Sequence, residues 1–406
     1  MSFSIALSGI NAANTDLNTI SNNIANANST GFKESRAEFG DIFQNGAFTL
    51  AATSTGDGVN TETVAQEFIQ GSITNTSNPL DLAINGNGFF TVSENGTTMY
   101  TRNGSFTTNN QGFVVTPTGQ NLQVYPPNGN GTFSTGTLTN LQLSTAPNPP
   151  AATTTVAAGL NLPANATAPA NATFSATDST SYNETTSTTV YDSLGAAHTL
   201  GMYFVSSGAG AWKVYTTVDG TLEPPGSTGT SISFGSTGTL SAASPQTLTV
   251  PFTPGNGAAA MSATLSLAST TQYGNTFSVN SLTQNGYATG QLTGVSVSGA
   301  GVVTANYSNG QTTNLGQVAM ANFPDPQGLQ QLGNDTWAQT AASGAALPGA
   351  AGSSDFGTIQ AGALESSNVD LTQQLVDMMN AQRNYQANSQ VISTSDQLLQ
   401  TILHLQ

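Results

Sequence analysis

Apolar residues recur along this chain in two different periods. From Phe3 they fall at Phe3, Leu7, Ile10, Ala13, Leu17, Ile20, Ile24 and Ala27, alternating steps of four and three that lie on one helical face. A polar "NANST" and then Gly31 supply a helix terminus. The same spacing returns at the far end through Leu371, Leu375, Met378, Gln382, Tyr385, Ser389, Ile392, Asp396, Leu399 and Leu403, with Asp370 and Gln373 placed as a capping box. Both ends are therefore predicted to be seam-forming helices. Neither carries enough large apolar side chains to offset the entropy of ordering it alone, so each needs a partner. Two partners are open: the other end of the same chain, or a bundle completed by further copies. Gln382, Ser389 and Asp396 interrupt the C-terminal seam and suit the bundle. On that reading, residues 375–406 are disordered in the free chain and ordered in the polymer.

Between the ends the period falls to two. "LDLAINGNGFFTV" and "MYTRNGSFTTNNQGFVVTPTGQNLQVY" alternate apolar and polar residues around Asn-Gly pairs, the pattern of strands and hairpins. "TAPNPPAATTT" reads as a domain edge. "TTVYDSLGAAHTLGMYFVSSGAGAWKVYTTVDG" reads as three strands, and "NGYATGQLTGVSVSGAGVVTANYSNGQ" resumes the first hairpin pattern. The predicted fold is mainly β with α-helical termini, in a nested layout. The helices at 1–31 and 365–406 form a coiled-coil-like inner domain, and 32–70 is a linker. Residues 71–146 and 284–364 form a discontinuous inner β domain, and 147–283 an inserted outer β domain.

Charge narrows the possible functions. Only 6% of the 406 residues are charged, against about 25% in an ordinary domain, and the net charge is −16. Residues 103–177 and 224–324 carry no charged side chain. With Lys33, Arg36, Arg102, Lys213 and Arg383 as the whole basic complement, the chain cannot neutralise a run of phosphates, which argues against nucleic acid and anionic membrane surfaces. No stretch of about 18 apolar residues implies membrane insertion. The start, "MSFSIALSGI", lacks the parts of a cleaved secretory signal.

Catalytic chemistry is sparse. Gly86-Asn87-Gly88 lacks the third glycine of a dinucleotide loop and reads as a hairpin turn. Asp192, Ser193 and His198 hold the residue types of a triad, but "DSLG" is a turn sequence and not a nucleophile elbow. With no cysteine and only His198 and His404, no zinc spacing exists, and Asp325 and Asp335 lack the alternating ligands of a calcium loop. Met378, Met379 and Trp337 read as packing. No active site, metal or cofactor is expected.

Longer words carry more information. "MSFSIALSGINAANTDLNTISNNIANANSTGFK", "QEFIQGSITNTSNPLDLAINGNGFF" with "RNGSF", and "GALESSNVDLTQQLVDMMNAQRNYQANSQVISTSDQLLQTIL" closely resemble the signatures of the bacterial flagellar axial proteins of rod and hook. "TTVYDSLGAAHTLGMYFV" and "WAQTAASGAALPGAAGSSDFG" are similar to words of the hook branch, whereas 221–280 matches none. The resemblance implies a structural subunit of the flagellar hook, a tube that acts as a universal joint between rod and filament. A distal-rod or hook-associated subunit is the alternative, and a secreted β-rich adhesin a more distant one. It also implies a homopolymer, with rod protein, hook-cap protein and hook–filament junction protein as neighbours. Export would run unfolded through the flagellar type III apparatus to the extracellular flagellum. The expected polymer interface is Leu7, Ile10, Leu17, Ile20, Ile24, Leu371, Leu375, Met378, Tyr385, Ile392, Leu399 and Leu403.

Overall fold

In the computed structural model, which describes residues 2–42, 56–144, 146–208 and 210–404, a long helix stands at each end of a β-rich chain. Helix α1 spans Ser2–Ala25 and helix α2 spans Leu371–His404. Asp370 caps α2, its Oδ1 accepting the amides of Thr372 at 2.8 Å and Gln373 at 3.2 Å. The reciprocal half of the expected capping box does not form. The Gln373 side chain reaches forward to Asp377 instead. α1 ends at Ala25, short of the expected terminus at Gly31; Gly31 lies beyond a run of turns at φ +76°, and a Cβ there would lie 2.6 Å from the Asn103 nitrogen.

The stretch 32–70 is more structured than a linker. Strand β1 (Ser35–Ile42) and strand β2 (Gly58–Gln66) pair antiparallel and pack beside α1. The intervening 43–55, including Phe43, lie outside the described residues.

By contact density the chain divides into two units. The first comprises 1–144, 294–306 and 312–406, and holds both helices. The core of its sheet follows the order Thr312–Asn322, Asn121–Tyr125, Phe89–Glu94, Thr97–Thr101, Thr336–Ala338 and Gln330–Gly333, each pair antiparallel. The doubled phenylalanine of "GFFTV" shows why this sheet is covered on both faces. Successive strand side chains point opposite ways. Phe90 joins Val92, Leu122, Val124, Val318 and Met320 in one core, while Phe89 joins Tyr100, Phe323 and Trp337 in another. Phe68, just after β2, closes the second core edge-on against Phe89 and Trp337. Gly104 of "RNGSF" is required because a Cβ there would collide with the Leu82 carbonyl oxygen. Gly86–Gly88 is a bend between strands Leu82–Asn85 and Phe89–Glu94, which pair with different partners, and so is not a hairpin turn.

The second unit comprises 145–293 with 307–311. Strand Thr155–Pro163 lies parallel to Met261–Ser266 and antiparallel to Ser278–Gln284. Its apolar side chains Val156, Leu160 and Leu162 meet Leu200, Met202, Phe204, Trp212 and Val214 from a second sheet. That sheet contains the expected three-strand run Glu184–Tyr191, Ala197–Gly208 and Ala211–Val218, to which Thr221–Glu223 and Thr230–Ser233 add, so this unit is a two-sheet sandwich.

Phe90→Ala is expected to cost about 3–5 kcal/mol in denaturant unfolding, because the ring is fully buried on one face of the sheet, edge-on to Phe106. A cost below about 1 kcal/mol would contradict its place in that core.

Candidate functional site

The two helices run antiparallel against each other, which is the intrachain partner that the spacing left open. Asn23 Nδ2 donates to Gln374 Oε1 at 3.1 Å, and Gly9 lies against Asn388. Those two pairs are fourteen residues apart on each helix, as an antiparallel register demands. Carried on, the register sets Ser2 opposite about 395, so Leu398 and Leu399 project past the described start of α1.

The face that α2 turns toward α1 differs from its expected seam, whereas α1 buries Ala13 and Ile20 of its own. On α1 the most buried positions are Ala6, Ala13, Thr19, Ile20 and Asn23. Among the described side chains of α2, only Gln374 and Ala381 are buried. The pairing therefore uses small and polar side chains one position away from the seam at Leu375, Gln382 and Ser389. Gly9 and the alanines let the backbones approach closely, and Asn23 with Gln374 satisfies its own polar atoms.

The larger apolar side chains are left outside. Leu371, Leu375, Tyr385 and Leu399 are 41–57% exposed. Leu7 is exposed, and Ile10, Leu17, Ile24, Met378 and Ile392 are half-buried. Ile20 is the member of the expected set that the chain itself covers, at 5% exposure. The side chain of Leu403 lies outside the described residues.

At the root of the pair lies a buried ion cluster that the sequence reading missed. Glu365, just before α2, is fully buried and accepts Lys33 Nζ at 2.7 Å and Arg102 Nη1 at 3.3 Å. Lys33 follows α1 and also donates to the Ile69 carbonyl, while Arg102 donates to the Gly86 carbonyl and lies over the Phe89 ring. Burial pulls the pKa of both cations down and the Glu365 carboxylate opposes that fall. A second network holds the same root: Asn23 bonds the Ser35 amide and carbonyl, Gln374 reaches Glu34, and Asn368 takes the Glu34 amide. A signal for this cluster was available. Two of five basic residues and one carboxylate stand inside "GFK", "RNGSF" and "GALE", in a chain that otherwise avoids charge.

In the second unit, His198 does not meet Ser193. Its Nδ1 lies 2.7 Å from Asp219 and its Nε2 3.3 Å from Asp192, whereas the Ser193 hydroxyl accepts the Ala259 amide. Asp192 is a turn organiser. Burial would raise its pKa, but bonds from Asn256, the Ala196 amide, His198 and the Leu194 amide hold it down to about 2. Partial burial pulls the His198 pKa down and the two carboxylates more than reverse this, leaving it raised. No group of three His, Cys, Asp or Glu that could hold a metal occurs among the described residues.

A β-rich chain that gathers both ends into one helix pair and leaves the large side chains of that pair uncovered has the build of a structural subunit with a surface suited to association. Sequence profiles agree in detail. The flagella basal body rod protein family matches 3–33 and the flagellar hook protein FlgE/F/G D1 domain 83–176. The flagellar basal body protein FlaE D2 domain matches 161–287 and the flagellar basal body rod FlgEFG protein C-terminal family 360–405. Over the full length of both chains this protein is 41% identical to flagellar hook protein FlgE of Salmonella typhimurium and 40% identical to that of Escherichia coli K12. It shares its fold with the crystal structure of Helicobacter pylori flagellar hook protein FlgE2, at a TM-score of 0.54 and 15% identity over 72% of this chain and 100% of that one. The chain belongs to the flagellar hook protein FlgE family. These relatives do not support a rod, hook-associated or adhesin reading.

Removing the charge of Glu365 strands two buried cations. Glu365→Ala is expected to lower stability by about 3–5 kcal/mol in urea unfolding, and a loss under about 1 kcal/mol would contradict the cluster. For His198 the raised native pKa stabilises the fold through the protonated form. That contribution is complete below about pH 6.5 and is lost as pH rises through the native pKa. The stability gap between the parent chain and His198→Asn should therefore be widest in mild acid and close toward alkaline pH. A gap that widens with rising pH would contradict this assignment.

Proposed function

We propose that this chain self-assembles into the tube of the flagellar hook through its terminal helix pair, and that the tube transmits torque from rod to filament. One observation carries the mechanism: α2, about 50 Å long, buries only Gln374 and Ala381 among its described side chains. A helix so thinly held within its own chain gains most of its burial from neighbours. The proposed interface is Leu7, Ile10, Leu17, Ile24, Leu371, Leu375, Met378, Tyr385, Ile392, Leu399 and Leu403, with Ile20 beneath it. In this reading the helices, 1–31 and 365–406, line the inside of the tube. The inner β domain at 71–146 and 284–364 and the inserted domain at 147–283 form the outer layers, with 32–70 between. Their weak charge lets outer surfaces slide past neighbours with little Coulomb or desolvation penalty as the joint bends. Rod, hook-cap and hook–filament junction proteins are its neighbours at the ends of the tube. The subunit reaches the extracellular flagellum through the type III export apparatus.

Deleting 366–406, or placing Leu375→Asp with Leu399→Asp, should abolish tubes in electron micrographs. Melting of the β units should stay nearly unchanged in the double substitution, since both leucines are exposed. Tubes from either variant would sink the proposal.

A further inference from the structure

Arg383 is the cation of the helix pair that has no ion partner among the described residues. The unit that contains the helices has four basic residues: Lys33 and Arg102 bind Glu365, and Arg36 binds Glu38 and Glu67. Arg383 has no ion pair among the described residues and is exposed on α2. It follows Leu375 and Met379 at four-residue steps, so the three share one outward face of the helix. Leu375 and Met379 are themselves half exposed on that face.

A different side of the same pair has the opposite need. A groove of about 310 Å³ between α1, α2 and β1 is lined by Asp16, Glu34 and Asp377 together with Phe39 and Ala381. Arg36 reaches this groove too, but its guanidinium is engaged by Glu38 and Glu67. Burial and then Asp377 raise the Asp16 pKa. Burial, then Glu67 and Asp377, raise that of Glu34, although Gln374 donates to it and Arg36 opposes the rise. The groove is thus short of positive charge. Six residues separate Asp377 from Arg383, which at 100° per residue sets them about 120° apart around α2, so a chain cannot fill its own groove.

We propose that the outward face of α2 in one copy docks in the α1–α2 groove of a second copy, Arg383 entering between Asp16 and Asp377 and Met379 lying beside Phe39. The inference rests on polymerisation through the terminal helices and specifies which faces meet. Because face and groove are different surfaces, the contact is heterologous, and repetition without closure yields a helical tube. A guanidinium suits the place, since it can bond carboxylates from two helices at once.

Charge reversal tests the pairing with the full-length chain. Arg383→Glu alone, and Asp16→Arg alone, should each raise the concentration needed to form tubes by about tenfold or more. Mixed in equal amounts they should polymerise near the parent concentration, because each then offers the charge that the other lacks. Asp16→Asn, which keeps the side-chain shape, should raise the concentration less and in the same direction, and it serves if Asp16→Arg does not fold by circular dichroism. Parent-like polymerisation of Arg383→Glu, or folded single variants whose mixture stays unpolymerised, would overturn the proposal. Failure of the underlying reading looks different: the Leu375→Asp chain would then still form tubes.

Discussion

Both ends of this chain are fastened by one buried carboxylate. Glu365 holds the lysine that follows α1 and the arginine of the β body, and its backbone carbonyl accepts the Gly31 amide at 2.8 Å. A buried ion pair is a poor source of net stability, because desolvation consumes much of the Coulomb gain. Its worth lies in geometry. Lys33 and Glu365 are 332 residues apart in sequence, and the pair satisfies its hydrogen bonds only when α1 exits and α2 enters at one place. The polar contacts of Asn23, Glu34, Asn368 and Gln374 repeat that requirement one turn further out. The helix pair is thus firmly rooted.

Along its length the pair is held far less. Two faces were available to α2, one of large apolar residues and one of small or polar ones, and the pairing consumes the second. The outcome follows from packing: glycine and alanine permit close approach, and the asparagine and glutamine side chains find partners in each other. What remains outward is an apolar surface on a helix that its own chain covers only along one thin stripe. Such a surface is costly to expose and gains when another copy covers it.

The legible part of this architecture was whatever depends on local period. Steps of four and three marked both helices, and alternation around Asn-Gly marked the sheets, including the doubled phenylalanine at 89–90. The phase of the helix pairing was not legible. Ranking positions by hydrophobicity selects Leu375, Tyr385 and Leu399, whereas the intrachain contact selects Gln374, Ala381 and Asn388 for their size and polarity. The pairing of β1 with β2 is hidden in the sequence because its strands carry charges and a glycine in place of clean alternation. The ion cluster joins three distant words, and no local pattern links them. The turn character of "DSLG" is legible in the sequence, whereas the two carboxylate partners of His198 become visible only in the fold.

The central claim is that neighbours, not the chain itself, complete the outward face of α2. Backbone hydrogen exchange over 371–404, measured on the free subunit and on polymerised tubes, tests it most directly. The account predicts fast exchange through most of α2 in the free chain and strong protection in the tube, with the β strands little changed. Equal protection of α2 in both states would contradict it.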